Sequence, residues 1–155
     1  MSLYEENPHQ INKADFIVAI PSYNEGETIG HTTEQVARGL VEHFGDLDCV
    51  IVNCDNQSTD GTKDAFFAAR SEIPRIYIST PPGMKGKGNN LRGLFEKTRE
   101  LEARAVVVIE ADIKNAAPYW VKNLGEPLLK GAGYTCPLYV RHKYEATLTN
   151  SVIYP

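Results

Sequence analysis

Glu110 and Asp112 stand one residue apart just after the clearest apolar run of the chain, Ala105-Val106-Val107-Val108-Ile109. Carboxylates of this kind suit a hard cation, because Mg²⁺ or Mn²⁺ keeps several waters and takes one or two protein carboxylates together with substrate phosphates. A turn with a capping aspartate is the other use of the same residues, and alternating side chains bring both carboxylates to one point only where the strand already bends. Gly83-Met84-Lys85-Gly86-Lys87-Gly88 offers the complementary chemistry. Unpaired N–H groups at a helix start, with an ammonium beside them, can meet an anion where no bulky side chain intervenes. Lys87 lies between two glycines that let a ligand approach the backbone, so Lys87 is expected on phosphate and Lys85 in solvent. This is not a Walker loop, since Gly88-Asn89 replaces the Gly-Lys-Ser/Thr ending. Nor is it a dinucleotide fingerprint, which belongs after the first strand and needs a glycine where Leu91 stands.

Two further segments carry polar groups at strand ends, Pro21-Ser22-Tyr23-Asn24-Glu25 and Asp55-Asn56-Gln57-Ser58-Thr59-Asp60-Gly61-Thr62. Asn24-Glu25 and Ser58-Thr59-Asp60 read equally well as helix caps. Asp55 directly follows a strand, ahead of the capping run, and its carboxylate is expected to accept from a base or ribose. His9, His31, His43 and His142 show no metal spacing and read as surface residues. Cys49, Cys54 and Cys136 are odd in number and lack CxxC spacing, which indicates idle or buried thiols instead of a disulfide framework or a zinc site.

The elements that must position these groups alternate in type. Phe16 to Ile20 reads as a strand buried on both faces and stopped by Pro21, and Ile29, Val36, Leu40 and Val41 recur at helical spacing between Thr28 and Phe44. Cys49 to Val52 is a second strand, Phe66 and Phe67 mark a short helix, and Ile76 to Ile78 is a third strand. Leu91, Leu94 and Leu101 mark the next helix, Ala105 to Ile109 the fourth and most clearly buried strand, and Trp120, Leu124, Leu128 and Leu129 the last helix. Tyr134 to Val140 is a plausible final strand. Strands alternating with helices imply a mostly parallel α/β sheet with helices on both faces. In such a sheet ligands bind outside the carboxyl ends of the strands, which gathers all four polar segments on one edge.

With 155 residues the chain makes one domain whose core needs no disulfide or metal to hold it. Sixteen basic against twenty acidic residues leave a net charge of −4, so no broad footprint for nucleic acid or anionic membrane is expected. No stretch approaches the roughly 18 apolar residues of a membrane span, and the polar start carries no signal-peptide core, which reads as cytoplasmic. Residues 1–14 are expected to form a flexible lead-in, and 15–155 the folded domain.

PSYNE, then DNQSTDGT, then GKG, then EAD, in that order, resembles the nucleotide-sugar half of a GT-A glycosyltransferase of the family-2-like group. Within that group, PGMKGKGNNLR and EADIKNAAPYWVKNLGEPLLKGAGY are most similar to the retaining glucosyl-3-phosphoglycerate and mannosylglycerate synthases. The resemblance implies a Rossmann-like fold and transfer of glucose or mannose from a nucleotide diphosphate sugar to glycerate, 3-phosphoglycerate or a similar small hydroxy acid. It implies further that Pro21, Tyr23 and Glu25 border the nucleoside, with Glu25 toward ribose, that Asp55, Asn56, Gln57 and Ser58 lie toward the base, and that Lys87 with Gly88 meets the diphosphate. Asp112 matches the metal-binding carboxylate that ends the family's D-x-D, with Glu110 in place of its first Asp, so Mg²⁺ or Mn²⁺ is the implied cofactor. Thr149 resembles a threonine that binds the acceptor, whereas Thr147 stands where the phosphoglycerate enzymes carry an arginine. No catalytic nucleophile is implied.

Two other readings stay open: a generic inverting family-2-like transferase with its base further along, and a non-catalytic nucleotide-binding module. The relatives continue well past Pro155, so the chain is expected to lack most of the acceptor half and to be inactive alone. A sheet cut there would expose an edge and favour self-association, such as a homodimer, or a disordered tail from about His142.

Overall fold

A computed structural model describes residues 4–138 of the chain. In chain order the elements are β1 Tyr4–Glu6, β2 Phe16–Ser22, α1 Ile29–Phe44, β3 Cys49–Asp55, α2 Thr62–Ala68, β4 Arg75–Ser79, α3 Lys87–Glu100, β5 Ala105–Val108 and α4 Pro118–Leu129. The strands form one sheet in the order β1-β4-β3-β2-β5, parallel except for β1. This is the expected mostly parallel α/β sheet with helices on both faces.

Alternate residues of the central strands feed two cores. Phe16, Val18, Ile20 and Ile51 pack with Ile29, Val36, Leu40, Phe66 and Val121 of α1, α2 and α4. Ile17, Ala19, Val50, Val52, Ile76 and Ile78 pack with Leu94 of α3 and with Leu101 on the opposite face. Burial on both faces is why these strands read as unbroken apolar runs.

Pro21 does not stop the first of them. β2 continues through Pro21 to Ser22, in register with Cys54 and Asp55. The Ala19 carbonyl accepts from Ile109 on the β5 side, while the Ser22 carbonyl accepts from Asn56 on the β3 side. Pro21, two residues beyond Ala19, therefore turns its missing N–H toward β5, whose pairing already ended at Ala19 and Val108. β5 itself differs from expectation. As an outer strand of the described sheet it leaves Val108 36% exposed, and only Val107 of its four residues is buried.

Residues 134–138 form no strand, and the remainder of the expected last strand, Tyr139 and Val140, lies outside the described residues. At the other end, Tyr4–Glu6 belong to the sheet instead of to an unstructured lead-in, paired antiparallel with β4. Lys63 binds the Glu6 carboxylate at 2.6 Å, and Lys97 binds Glu5 at 2.7 Å. Burial works against the charge on Lys97, but its hydrogen bonds to Glu5 and Glu100 outweigh it and raise its pKa.

α1 and α4 cross at close quarters. A Cβ on Gly39 would come within 2.5 Å of the Pro118 carbonyl oxygen, and one on Gly125 within 2.5 Å of the Phe16 ring. Glycine to alanine in a helix ordinarily gains up to about 1 kcal/mol. Here we expect Gly39→Ala to lose about 1–3 kcal/mol by overpacking against backbone, measured by urea denaturation. A gain would mean that the crossing yields freely.

Candidate functional site

The carboxyl ends of β2 and β3, the start of α3 and the turn after β5 enclose a cleft of about 270 Å³. Pro21, Tyr23, Glu25, Asn56, Lys87, Glu110 and Asp112 line it, drawn from all four segments that the sequence places on one edge. Ser22, Asn90 and Ala111 line it as well, and sequence reasoning assigned them nothing. Asn90 could have been found, since it follows Lys87 by three residues and so shares its helix face.

The Glu110–Asp112 turn explains how two carboxylates so near in sequence share one cleft. β5 ends at Val108, and the Thr32 hydroxyl of α1 donates to the Ala111 carbonyl at 3.1 Å, fixing the chain where it bends. The donor set is two carboxylates, and no cluster of three or more His, Cys, Asp or Glu side chains suited to a metal occurs among the described residues. Two carboxylates fit Mg²⁺ or Mn²⁺ held largely by ligand phosphates, and would fit poorly a structural metal that needs a full set of protein ligands.

Lys87 opens α3, the end of a helix where a positive side chain disfavours folding. It reaches across the cleft to Glu110, Nζ to Oε1 2.6 Å. The group expected on phosphate and one of those expected on the metal therefore neutralise each other. Both lysines are exposed, but Lys87 lines the cleft and Lys85 does not. Gly86 adopts φ +113, which requires glycine, whereas Gly88 lies in the first turn of α3 with open space at its Cβ position and does not line the cleft.

Asp55 is placed otherwise than its position after a strand suggested. It is 0% exposed and does not line the cleft. Its carboxylate accepts from the Ser22 hydroxyl at 2.8 Å, the Ser58 N–H at 2.7 Å, the Ser58 hydroxyl at 2.6 Å and the Tyr77 hydroxyl at 3.0 Å. No capacity remains for a base or ribose. Burial, and then the charge of Asp55, push the Tyr77 phenol well above its ordinary pKa, so it stays a donor. Ser58 is likewise occupied, donating to Asp55 and accepting from the Asn24 N–H at 2.7 Å.

The capping roles expected of 58–60 also change. α2 is preceded by Gly61 at φ +87 with no side-chain cap. Asp60 instead accepts from the Gly26 and Thr62 N–H groups, and Thr59 donates to the Asn24 side chain, stitching the loop after β2 to the loop after β3. Glu25 stays at the cleft, one carboxylate oxygen accepting from the Thr28 hydroxyl at 2.8 Å.

Among the thiols, burial pushes Cys49 up to about 11 and Cys54 higher still, so both stay protonated and unreactive; Cys136 is exposed. Thr147, Thr149 and His142 lie outside the described residues. Among the described residues no helix is long and apolar enough to cross a membrane.

Comparison with known proteins agrees with this fold. The profile of glycosyl transferase family 2 matches residues 17–153. No curated protein matches the chain. The solved structure of glucosyl-3-phosphoglycerate synthase from Mycobacterium tuberculosis is similar at 28% identity and TM-score 0.60, covering 76% of this chain and 41% of that one. The same enzyme with Mn²⁺, UDP-glucose and phosphoglyceric acid aligns at 28% identity and TM-score 0.58, over 76% of this chain and 40% of that one. Its complex with Mg²⁺ and UDP aligns at 28% and 0.59, with coverage of 76% and 40%. The chain thus spans about 40% of the length of these structures.

Proposed function

The chain belongs to glycosyl transferase family 2, and from that premise we propose that it forms the donor-binding part of a hexosyltransferase using a nucleotide diphosphate sugar, with a small hydroxy acid as acceptor. The observation that carries this reading is the cleft in which Lys87 pairs with Glu110 and which Asp112, Pro21, Tyr23, Glu25 and Asn56 also line. UDP-glucose, Mn²⁺ and phosphoglyceric acid in a similar structure support glucose, uridine and glycerate or 3-phosphoglycerate as the first candidates, and the resemblance supports retention of configuration.

Pro21 and Tyr23 offer apolar surface to a nucleoside, and Glu25 offers a carboxylate oxygen to ribose hydroxyls. Lys87 and the N–H groups in the first turn of α3 suit the diphosphate. Glu110 and Asp112 would hold Mg²⁺ or Mn²⁺, whose chemistry there is to neutralise the negative charge that develops on the leaving diphosphate. As the bond from the anomeric carbon to the diphosphate breaks, its electron pair goes to the phosphate oxygen, where Lys87 can stabilise it. The acceptor hydroxyl oxygen forms the new glycosidic bond, and its proton passes to the departing diphosphate or to water. No described residue is assigned as nucleophile or base.

Calorimetry of UDP and GDP with and without Mn²⁺ tests the reading. We expect metal-enhanced binding of at least one nucleotide, and we expect Asp112→Ala to remove the enhancement. Enhancement that survives in Asp112→Ala would overturn the metal assignment, and nucleotide binding indifferent to metal in the wild type would favour a non-catalytic nucleotide-binding module.

A further inference from the structure

Five hydrogen bonds run from the end of β3 to the segment that carries Lys87. The Cys54 carbonyl accepts from the Asn90 amide at 2.5 Å, and the Asp55 carbonyl from the Thr80 N–H at 3.3 Å. The Asn56 side-chain oxygen accepts from the Gly86 N–H at 3.0 Å, and the Gln57 amide donates to the Pro81 carbonyl at 2.6 Å and the Thr80 hydroxyl at 3.2 Å. Four consecutive residues thus grip both ends of 80–90. Within that segment Gly83 and Gly86 both sit at positive φ with open space at their Cβ positions, so neighbouring packing holds the loop weakly. Gln57 itself adopts φ +63, a conformation that costs a glutamine backbone energy and would cost glycine none.

We infer that Asn56 and Gln57 are positioning residues for the glycine–lysine loop, and that through it they set affinity for the diphosphate as opposed to the nucleoside. The ligand half of this inference rests on the function proposed above. The strained backbone at Gln57 persists because its amide closes the turn at Pro81, and the oxygen of Asn56 is spent on Gly86, on the loop side of the cleft. Base-side residues then act at a distance on the phosphate end.

Gln57→Gly separates positioning from stability, since glycine relieves the backbone while the amide is lost. Asn56→Asp keeps an acceptor for Gly86, and Asn56→Ala removes it. Two readouts are needed: amide hydrogen exchange at Met84 and Gly86 in the nucleotide-free protein, and the ratio of UDP to uridine affinity in Mn²⁺. We expect Gln57→Gly and Asn56→Ala to speed exchange and lower the affinity ratio by about threefold to tenfold each, the effect of one lost hydrogen bond. Melting of Gln57→Gly should stay close to wild type, and Asn56→Asp, which keeps the acceptor for Gly86, should retain wild-type loop exchange. Unchanged loop exchange in both variants overturns the positioning role. Faster exchange with an undiminished ratio overturns its link to diphosphate binding. If wild-type protein binds neither UDP nor uridine, the proposed function fails, and loop exchange still decides whether Asn56 and Gln57 hold the loop.

Discussion

Asp55→Ala should cost about 3–5 kcal/mol of folding stability, the range for breaking a buried, hydrogen-bonded charge network. The carboxylate is completely buried and receives four donors from three residues, Ser22 on β2, Tyr77 on β4, and the backbone and hydroxyl of Ser58. Removing it leaves those donors under the cleft with no acceptor of equal reach, and Asn53 next to them already carries a buried side-chain oxygen without a hydrogen-bond partner. Asp55→Asn keeps the shape but turns an N–H₂ toward donors, so its loss should be smaller yet of the same sign. In a domain of this size each kcal/mol moves the melting temperature by about 2–4 °C, which puts the alanine variant well within reach of a thermal scan. A residue that only touched a base or ribose would behave oppositely, with weakened nucleotide binding at unchanged stability. Stability within about 1 kcal/mol of wild type would return Asp55 to the ligand.

That contrast marks where the sequence is legible and where it is not. The order of the four polar segments could be read directly, because parallel strands deliver their carboxyl ends to one edge whatever the details of packing. Pro21, Tyr23, Glu25, Asn56, Lys87, Glu110 and Asp112 therefore meet as expected. The direction of a side chain at a strand end could not be read, since it depends on neighbours far along the chain. Asp55 turns inward because Ser22 and Tyr77 stand on the strands at either side. β1 was invisible for a related reason. Tyr4-Glu5-Glu6 has no apolar period, and what anchors it is Lys97, 92 residues away, together with Lys63. Pro21 misled because a local rule about proline gives way where the neighbouring strand has already ended. Five apolar residues from Ala105 likewise cannot distinguish a central strand from an outer one, and Val108 shows which it is among the described residues.

Lys87 and Glu110 give the sharpest expectation about ligand binding, because under the proposed function two side chains that already pair with each other would also serve a phosphate and a metal ion. Lys87→Ala should weaken UDP binding in Mn²⁺ by about 1.5–3 kcal/mol, the range for a hydrogen bond to a charged group, and leave uridine nearly unaffected. Equal losses for UDP and uridine would mean that Lys87 acts on the fold. Glu110→Gln should change sign with metal. Without Mn²⁺ its carboxylate occupies Lys87 and repels a diphosphate, so removing the charge frees the ammonium. The pair is exposed, at 64% and 42% for the two side chains, and solvent screening limits the gain in metal-free UDP binding to about 0.5–1 kcal/mol. With Mn²⁺ present the same substitution removes a ligand oxygen, and UDP binding should fall. Isothermal titration of wild type and both variants, with EDTA and then with Mn²⁺, decides between the arrangements. A Glu110→Gln effect of one sign under both conditions would show that Glu110 belongs to the ion pair or to the metal, but does not pass between them.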